Sequence, residues 1–172
     1  MLNRQVSVNQ VKTGVILATH DRVELYSKRA ILSILTQSQP PDYLIVVDDS
    51  NLESNREENE RYINSLESDI TCISITKNCR THGACGAWNT GIDWIFTNTK
   101  GPESTFIAIL DGDDSWHPNY LETCVNKCIR GKLDMVVSGI NRFELENIQP
   151  LIYPAPVKLE VEDFLVKNDG IL

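Results

Sequence analysis

Asp111-Gly112-Asp113-Asp114 sets three carboxylates within four residues. Such hard oxygen ligands suit Mg²⁺ or Mn²⁺, which keep several waters and bridge one or two carboxylates to substrate phosphates. Gly112 between the first two acids lets a ligand come close to the backbone. Two more acids, Asp48-Asp49, precede Ser50, and Thr19-His20-Asp21 closes another apolar run. Acids crowded on one rim repel each other unless a cation or hydrogen-bond donors compensate. On an extended segment Asp111 and Asp113 point different ways, which predicts a division of labour. Asp113 is expected on the metal, Asp111 on a ribose or in the metal shell, and Asp114 in support of either. A cation held there makes a diphosphate leaving group feasible by neutralising its developing charge.

Asp-Gly is also a common turn pair, so the motif draws its meaning from its setting. An EF-hand reading of Asp111-x-Asp113-x-Ser115 with Glu122 fails, because Trp116 stands where the sharp turn needs glycine and an apolar strand precedes the loop.

The elements that must position these acids alternate between apolar runs and helical patterns. A strand is predicted at 14–19, a helix over 24–37 opened by a capping box Asp21-Arg22-Val23-Glu24, and a strand at 43–48. A second capping box, Ser50-Asn51-Leu52-Glu53, opens a charged helix ending near Ser68, followed by a strand from Ile70 to Thr76. Ala84, Ala87, Trp88, Gly91, Ile92, Ile95 and Phe96 form a helical stripe. Strand 106–110 leads into the acids. Pro118 is expected in the first turn of a helix carrying Leu121, Cys124, Val125, Cys128 and Ile129, with Gly131 as its stop. A fifth strand is expected near Met135–Gly139; after it Pro150, Pro154 and Pro156 break the chain before a short helix from Val161 to Lys167.

Strands without alternation, joined by helices, define an α/β fold: a Rossmann-like, mostly parallel sheet with helices on both faces. In such sheets ligands bind beyond the carboxyl ends of the strands, where all the acids fall.

The 172 residues, 41% hydrophobic, suit one domain. A net charge of -8 opposes nucleic acid as a partner. Five cysteines without a C-x-x-C pair match neither a disulfide framework nor a zinc knuckle, and no apolar run reaches the roughly 18 residues of a membrane span. The expectation is a cytoplasmic protein with reduced thiols. Cys124 and Cys128 are read as small core residues.

Val15-Ile16-Leu17-Ala18-Thr19-His20-Asp21-Arg22, Ile45-Val46-Val47-Asp48-Asp49-Ser50, Asn89-Thr90-Gly91-Ile92 and Phe106 through Trp116 together resemble family 2 glycosyltransferases of GT-A fold, in order and with fitting spacing. The resemblance spans about residues 13 to 130, the donor-binding half of a single GT-A-type domain over 1–172. It implies a nucleotide-sugar donor, most often UDP-linked, and an inverting, metal-dependent transfer of hexosyl type to a saccharide or lipid-linked acceptor. It also implies base and ribose contacts from Thr19, Asp21 and Asp48 or Asp49, and a metal motif at Asp111 and Asp113, served by Mn²⁺ or Mg²⁺.

His20 is a donor-site neighbour in this reading, His82 a loop residue and His117 a helix-start residue. Many members carry Ala-Arg-Asn where this chain has Ala87-Trp88-Asn89; Arg80 either substitutes near the phosphates or is an exposed loop arginine. Trp116 either stacks on a ligand or packs. Family members continue into an acceptor-binding portion bearing the general base, which is expected beyond residue 172, in a further domain or partner chain. Glu144, Glu146, Glu160, Glu162 and Asp163 are read as surface charge. The alternative is a truncated nucleotide-sugar and metal binder without transfer activity. A different Mg²⁺-dependent phosphoryl or nucleotidyl transferase on a similar sheet lacks support, because no P-loop G-x-x-x-x-G-K-[ST] occurs.

Overall fold

The structure, a computed structural model, describes residues 11–21, 23–142 and 151–154. The chain divides into two compact units at Lys132. In the first, β1 (Lys12–Thr19), β2 (Tyr43–Asp48), β3 (Cys72–Lys77) and β4 (Thr105–Asp111) form a parallel sheet in the order β3-β2-β1-β4. The registers Thr19↔Asp48 and Ala18↔Asp111 bring the carboxyl ends of the three acid-bearing strands level.

The middle strands explain their composition. Val15, Ile16 and Leu17 of β1 and Leu44, Ile45, Val46 and Val47 of β2 are all fully buried, because helices cover both faces. Each contributes roughly 1.5–3 kcal/mol over an exposed position. The outer strands are only partly buried, and Ile109 on β4 is exposed.

On one face lies a core with Tyr26, Ala30, Ile31 and Ile34, from a helical stretch built of α1 (Val23–Tyr26), a π-helical segment Ser27–Ile31 and α2 (Leu32–Leu35). Helix α3 (Glu53–Asn64) docks on this side through buried Asn59 and Ile63, and α5 (Tyr120–Gly131) adds Leu121. On the other face α4 (Ala84–Asn98) packs Ala87 and Ile95 against Ile16, Ile45 and Val47. Its approach to β1 is close: a Cβ on Gly91 would stand 2.5 Å from Cγ2 of Ile16. The doubly covered α/β sheet expected from the sequence is what forms.

Several local expectations are corrected. Neither capping box exists as a local cap. Asp21 has φ +47°, and its carboxylate accepts from Asn55 rather than from its own helix. Ser50 Oγ accepts from the Asp21 N–H, and Leu52 stands at the start of α3 without a side-chain cap. Long-range partners have taken the groups that the local pattern assigned. Helix α3 ends at Asn64, and β3 begins at Cys72. Pro118 precedes α5 by two residues, its carbonyl accepting the Ser38 N–H at 2.7 Å. The left-handed position that ends α5 is Lys132 at φ +52°, not Gly131. Phe96 points out, 56% exposed, at the far edge of the α4 stripe.

The described part of the second unit holds β5 (Ile140–Arg142) and β6 (Leu151–Tyr153), paired antiparallel. The strand expected at Met135–Gly139 is absent; Met135 and Val137 are exposed, so no burial favours extended pairing there. The helix expected over 161–167 lies outside the described residues.

Candidate functional site

A cavity of about 240 Å³ opens at the carboxyl ends of β1, β2 and β4. Thr19, His20, Asp49, Asp111, Gly112 and Asp113 line it together with Tyr26, Gly83 and Ala87. Six of the nine residues singled out by sequence therefore converge on one space. Gly112 sits where a side chain would be crowded: a Cβ would meet the Ala18 carbonyl oxygen at 3.1 Å and Tyr26 Cβ at 3.3 Å, so the neighbours would have to give by a few tenths of an ångström. A second cavity, of similar size, is lined by Asp48, Asp49, Arg56, Lys77, Asn78, Arg80 and His82, so Asp49 borders both. Asp21 lines neither.

The two acids after β2 are heavily engaged. Asp48, 2% exposed, accepts the Ser50 N–H at 2.8 Å on Oδ1 and Asn59 Nδ2 at 3.1 Å on Oδ2. Tyr26 donates to the other end of that Asn59 amide at 2.9 Å, and burial pushes its phenol pKa upward. Asp49 accepts from Asn78 Nδ2 at 2.6 Å and from the Gly83 N–H at 2.7 Å, and His82 Nδ1 lies 3.0 Å from it. A carboxylate offers about four lone-pair sites, so Asp49 keeps room for about one more donor. Asp49 thus pins the β3–α4 loop and the start of α4.

The acids after β4 sit in the opposite condition. Burial, then the nearby Asp114 and Asp113, hold the Asp111 carboxyl above the usual range, although Trp88 opposes this by donating Nε1–H to Oδ1 at 3.2 Å. Asp114 is raised as well, by burial and Asp113, with Arg29 acting the other way. Asp113 is exposed. Asp21, by contrast, is lowered, chiefly by its hydrogen bond from Asn55 at 2.7 Å. A cluster whose own charges disfavour ionisation gains most from a cation. Among the described residues no group of three or more His, Cys, Asp or Glu side chains forms a ready-made cage. Asp111 and Asp113 could supply two ligands, the rest coming from a bound diphosphate and water.

Arg80 lies on the second cavity and forms an ion pair with Asp93 at 2.5 Å, half exposed. Trp116 packs against the core and stacks on Tyr120, with ring centroids 4.6 Å apart. None of the five cysteines is disulfide-bonded; Cys128 is buried and Cys124 partly so. Among the described residues no helix is long and apolar enough to cross a membrane. Glu144, Glu146, Glu160, Glu162 and Asp163 lie outside the described residues.

Asn78 and Trp88 are among the participants that the sequence does not mark as site residues. Asn78 follows β3, and its amide joins Asp49, Thr81 and Thr90; the rule that directed attention to residues after strands 1, 2 and 4 applied to it equally. Trp88 stands on the packing stripe and where many family members carry arginine, and no pattern in the sequence reveals its hydrogen bond to Asp111.

The sequence profile described as glycosyl transferase family 2 matches residues 14–152. The Escherichia coli UDP-Glc:alpha-D-GlcNAc-diphosphoundecaprenol beta-1,3-glucosyltransferase WfgD is 28% identical over 144 residues, 83% of this chain and 50% of its own. The chain thus spans half the length of this curated relative. Among solved structures, the mannosyltransferase PcManGT from Pyrobaculum calidifontis, in complex with GDP-Man and Mn2+, is similar with a TM-score of 0.54 at 18% identity, over 77% of this chain and 35% of that one. S. aureus TarS is similar with a TM-score of 0.52 at 17% identity, over 80% of this chain and 22% of that one. These likenesses establish the GT-A fold.

Proposed function

The chain belongs to glycosyl transferase family 2, and on that premise we propose that its first unit holds the nucleotide-sugar donor, UDP-linked, of an inverting sugar transfer to a saccharide or lipid-linked acceptor. The observation that carries this reading is the convergence of Thr19, His20, Asp49, Asp111, Gly112 and Asp113 on one cavity at the carboxyl ends of three parallel strands. The WfgD relative, whose name specifies a UDP-glucose donor and a lipid-linked acceptor, supports the donor and acceptor classes.

In this reading Asp113 and Asp111 hold Mn²⁺ or Mg²⁺, and a bound cation supplies charge neutralisation at the diphosphate leaving group. Their raised or crowded carboxyls fit that group. Gly112 leaves the backbone bare for the ligand. Asp49 offers its remaining acceptor position to a base or ribose donor, with Thr19 and His20 on the same cavity, while Asp21 and Asp48 hold the loop through Ser50. Arg80 reaches the donor by leaving Asp93. The base that accepts the acceptor's proton belongs to the acceptor side, supplied by another segment or partner.

Calorimetric titration with UDP, GDP and their sugars, with and without Mn²⁺, tests this. The expected result is metal-dependent binding that favours UDP and is abolished by Asp113→Ala. Equal binding by that variant, or no nucleotide binding with metal present, overturns the donor site.

A further inference from the structure

We propose that Trp88 is a positioning residue for Asp111, a role that rests on the donor-site reading above. Its indole Nε1–H donates to Oδ1 of Asp111 at 3.2 Å, from a residue 23 positions earlier and on a different element. Asp111 lines the cavity with two chemically equivalent oxygens, and Trp88 is the side chain that donates to one of them. A donor fixed on one side selects a single orientation. It occupies one lone pair of Oδ1 and leaves Oδ2 open to a cation or a ribose hydroxyl.

An indole suits this task for three reasons. It is donor-only, so it cannot swap roles with the acid. It is neutral, so it orients the carboxylate without competing with a cation for it. It is also rigid, and its helix is fixed twice. Asp49 accepts the Gly83 N–H at the start of α4, and Gly91 sits flush on Ile16 one turn beyond Trp88. The acids after β2 and β4 are thus linked through α4 and one indole.

Two measurements test the proposal. In ligand-free protein the Trp88 indole ¹H–¹⁵N resonance, assigned by comparison with W94F and W116F, is expected to move upfield in Asp111→Ala; an unmoved resonance overturns the contact. In titrations of UDP with Mn²⁺, Trp88→Phe is expected to weaken binding roughly threefold to tenfold. Trp94→Phe, which loses an indole from the same helix away from the acid, should stay within about twofold. Trp88→Phe should add nothing further in an Asp111→Ala background. Binding of Trp88→Phe at wild-type strength, or losses that multiply in the double variant, overturns the positioning role. Absence of binding by the wild type overturns the donor site itself, while the indole resonance still reports whether Trp88 and Asp111 are joined.

Discussion

Asn59 Nδ2 lies 3.1 Å from Oδ2 of Asp48, and neither side chain reaches water to any useful extent, at 0% and 2% exposure. A helix that is charged along most of its length is thus anchored to the sheet by a buried amide. Asn59→Ala removes the donor from a buried acid and the acceptor from Tyr26, so a loss of about 2–4 kcal/mol in unfolding free energy is expected. Tyr26→Phe breaks only one end and should cost about 1 kcal/mol. Urea denaturation of both variants measures the contrast. Equal losses would mean that the amide does not serve the acid.

Gly91 places α4 against β1. The 2.5 Å gap to Ile16 Cγ2 forces Gly91→Ala to lift the helix or displace Ile16, at about 1–3 kcal/mol. Ile16→Ala, which removes Cγ2 and is costly by itself in this buried position, should cost less in the Gly91→Ala background. A double-variant loss equal to the sum would exclude the steric coupling.

The raised Asp111 carboxyl gives a pH dependence of definite sign. A folded-state pKa above the unfolded 3.8 means that the folded protein holds the proton more tightly between the two values. Stability from this group therefore falls as pH rises through that window, and stays reduced at neutral pH. Asp111→Asn keeps an acceptor for Trp88 and removes the charge, so the metal-free protein should melt roughly 1–3 °C higher at pH 7. The gain should vanish below the unfolded pKa, where both states are protonated. A gain that grows toward acid would reverse the assignment.

Lys132 carries the left-handed turn after α5 at φ +52°. Lys132→Gly relieves a strain of roughly 1–2 kcal/mol and reintroduces unfolded-chain entropy of about 0.4–1 kcal/mol. A net gain of up to about 1 kcal/mol is expected in thermal unfolding. A loss would show that the lysine side chain contributes more than its backbone costs.

Much of the chain was readable locally. The unbroken apolar runs of β1 and β2 needed burial on both faces, and only a covered parallel sheet supplies it. Placing acids directly after those runs put them at the ligand edge. Capping failed as a local rule because the Asp21 carboxylate and Ser50 Oγ found partners across the fold, in Asn55 and the Asp21 N–H, whose reach no sequence spacing reveals.

The sequence by itself determined the sheet, its helices and the strand ends at which Thr19, Asp48, Asp49 and Asp111 emerge, since hydrophobic periodicity and chain direction are local properties. The tertiary structure decided what each acid does. Strand order set Asp49 between two cavities and beside Gly83, and it left Asp48 buried against Asn59. Helix packing brought Trp88 to Asp111. A carboxylate's role follows from the donors and charges within a few ångströms of it, and those neighbours come from segments that meet only in the folded chain.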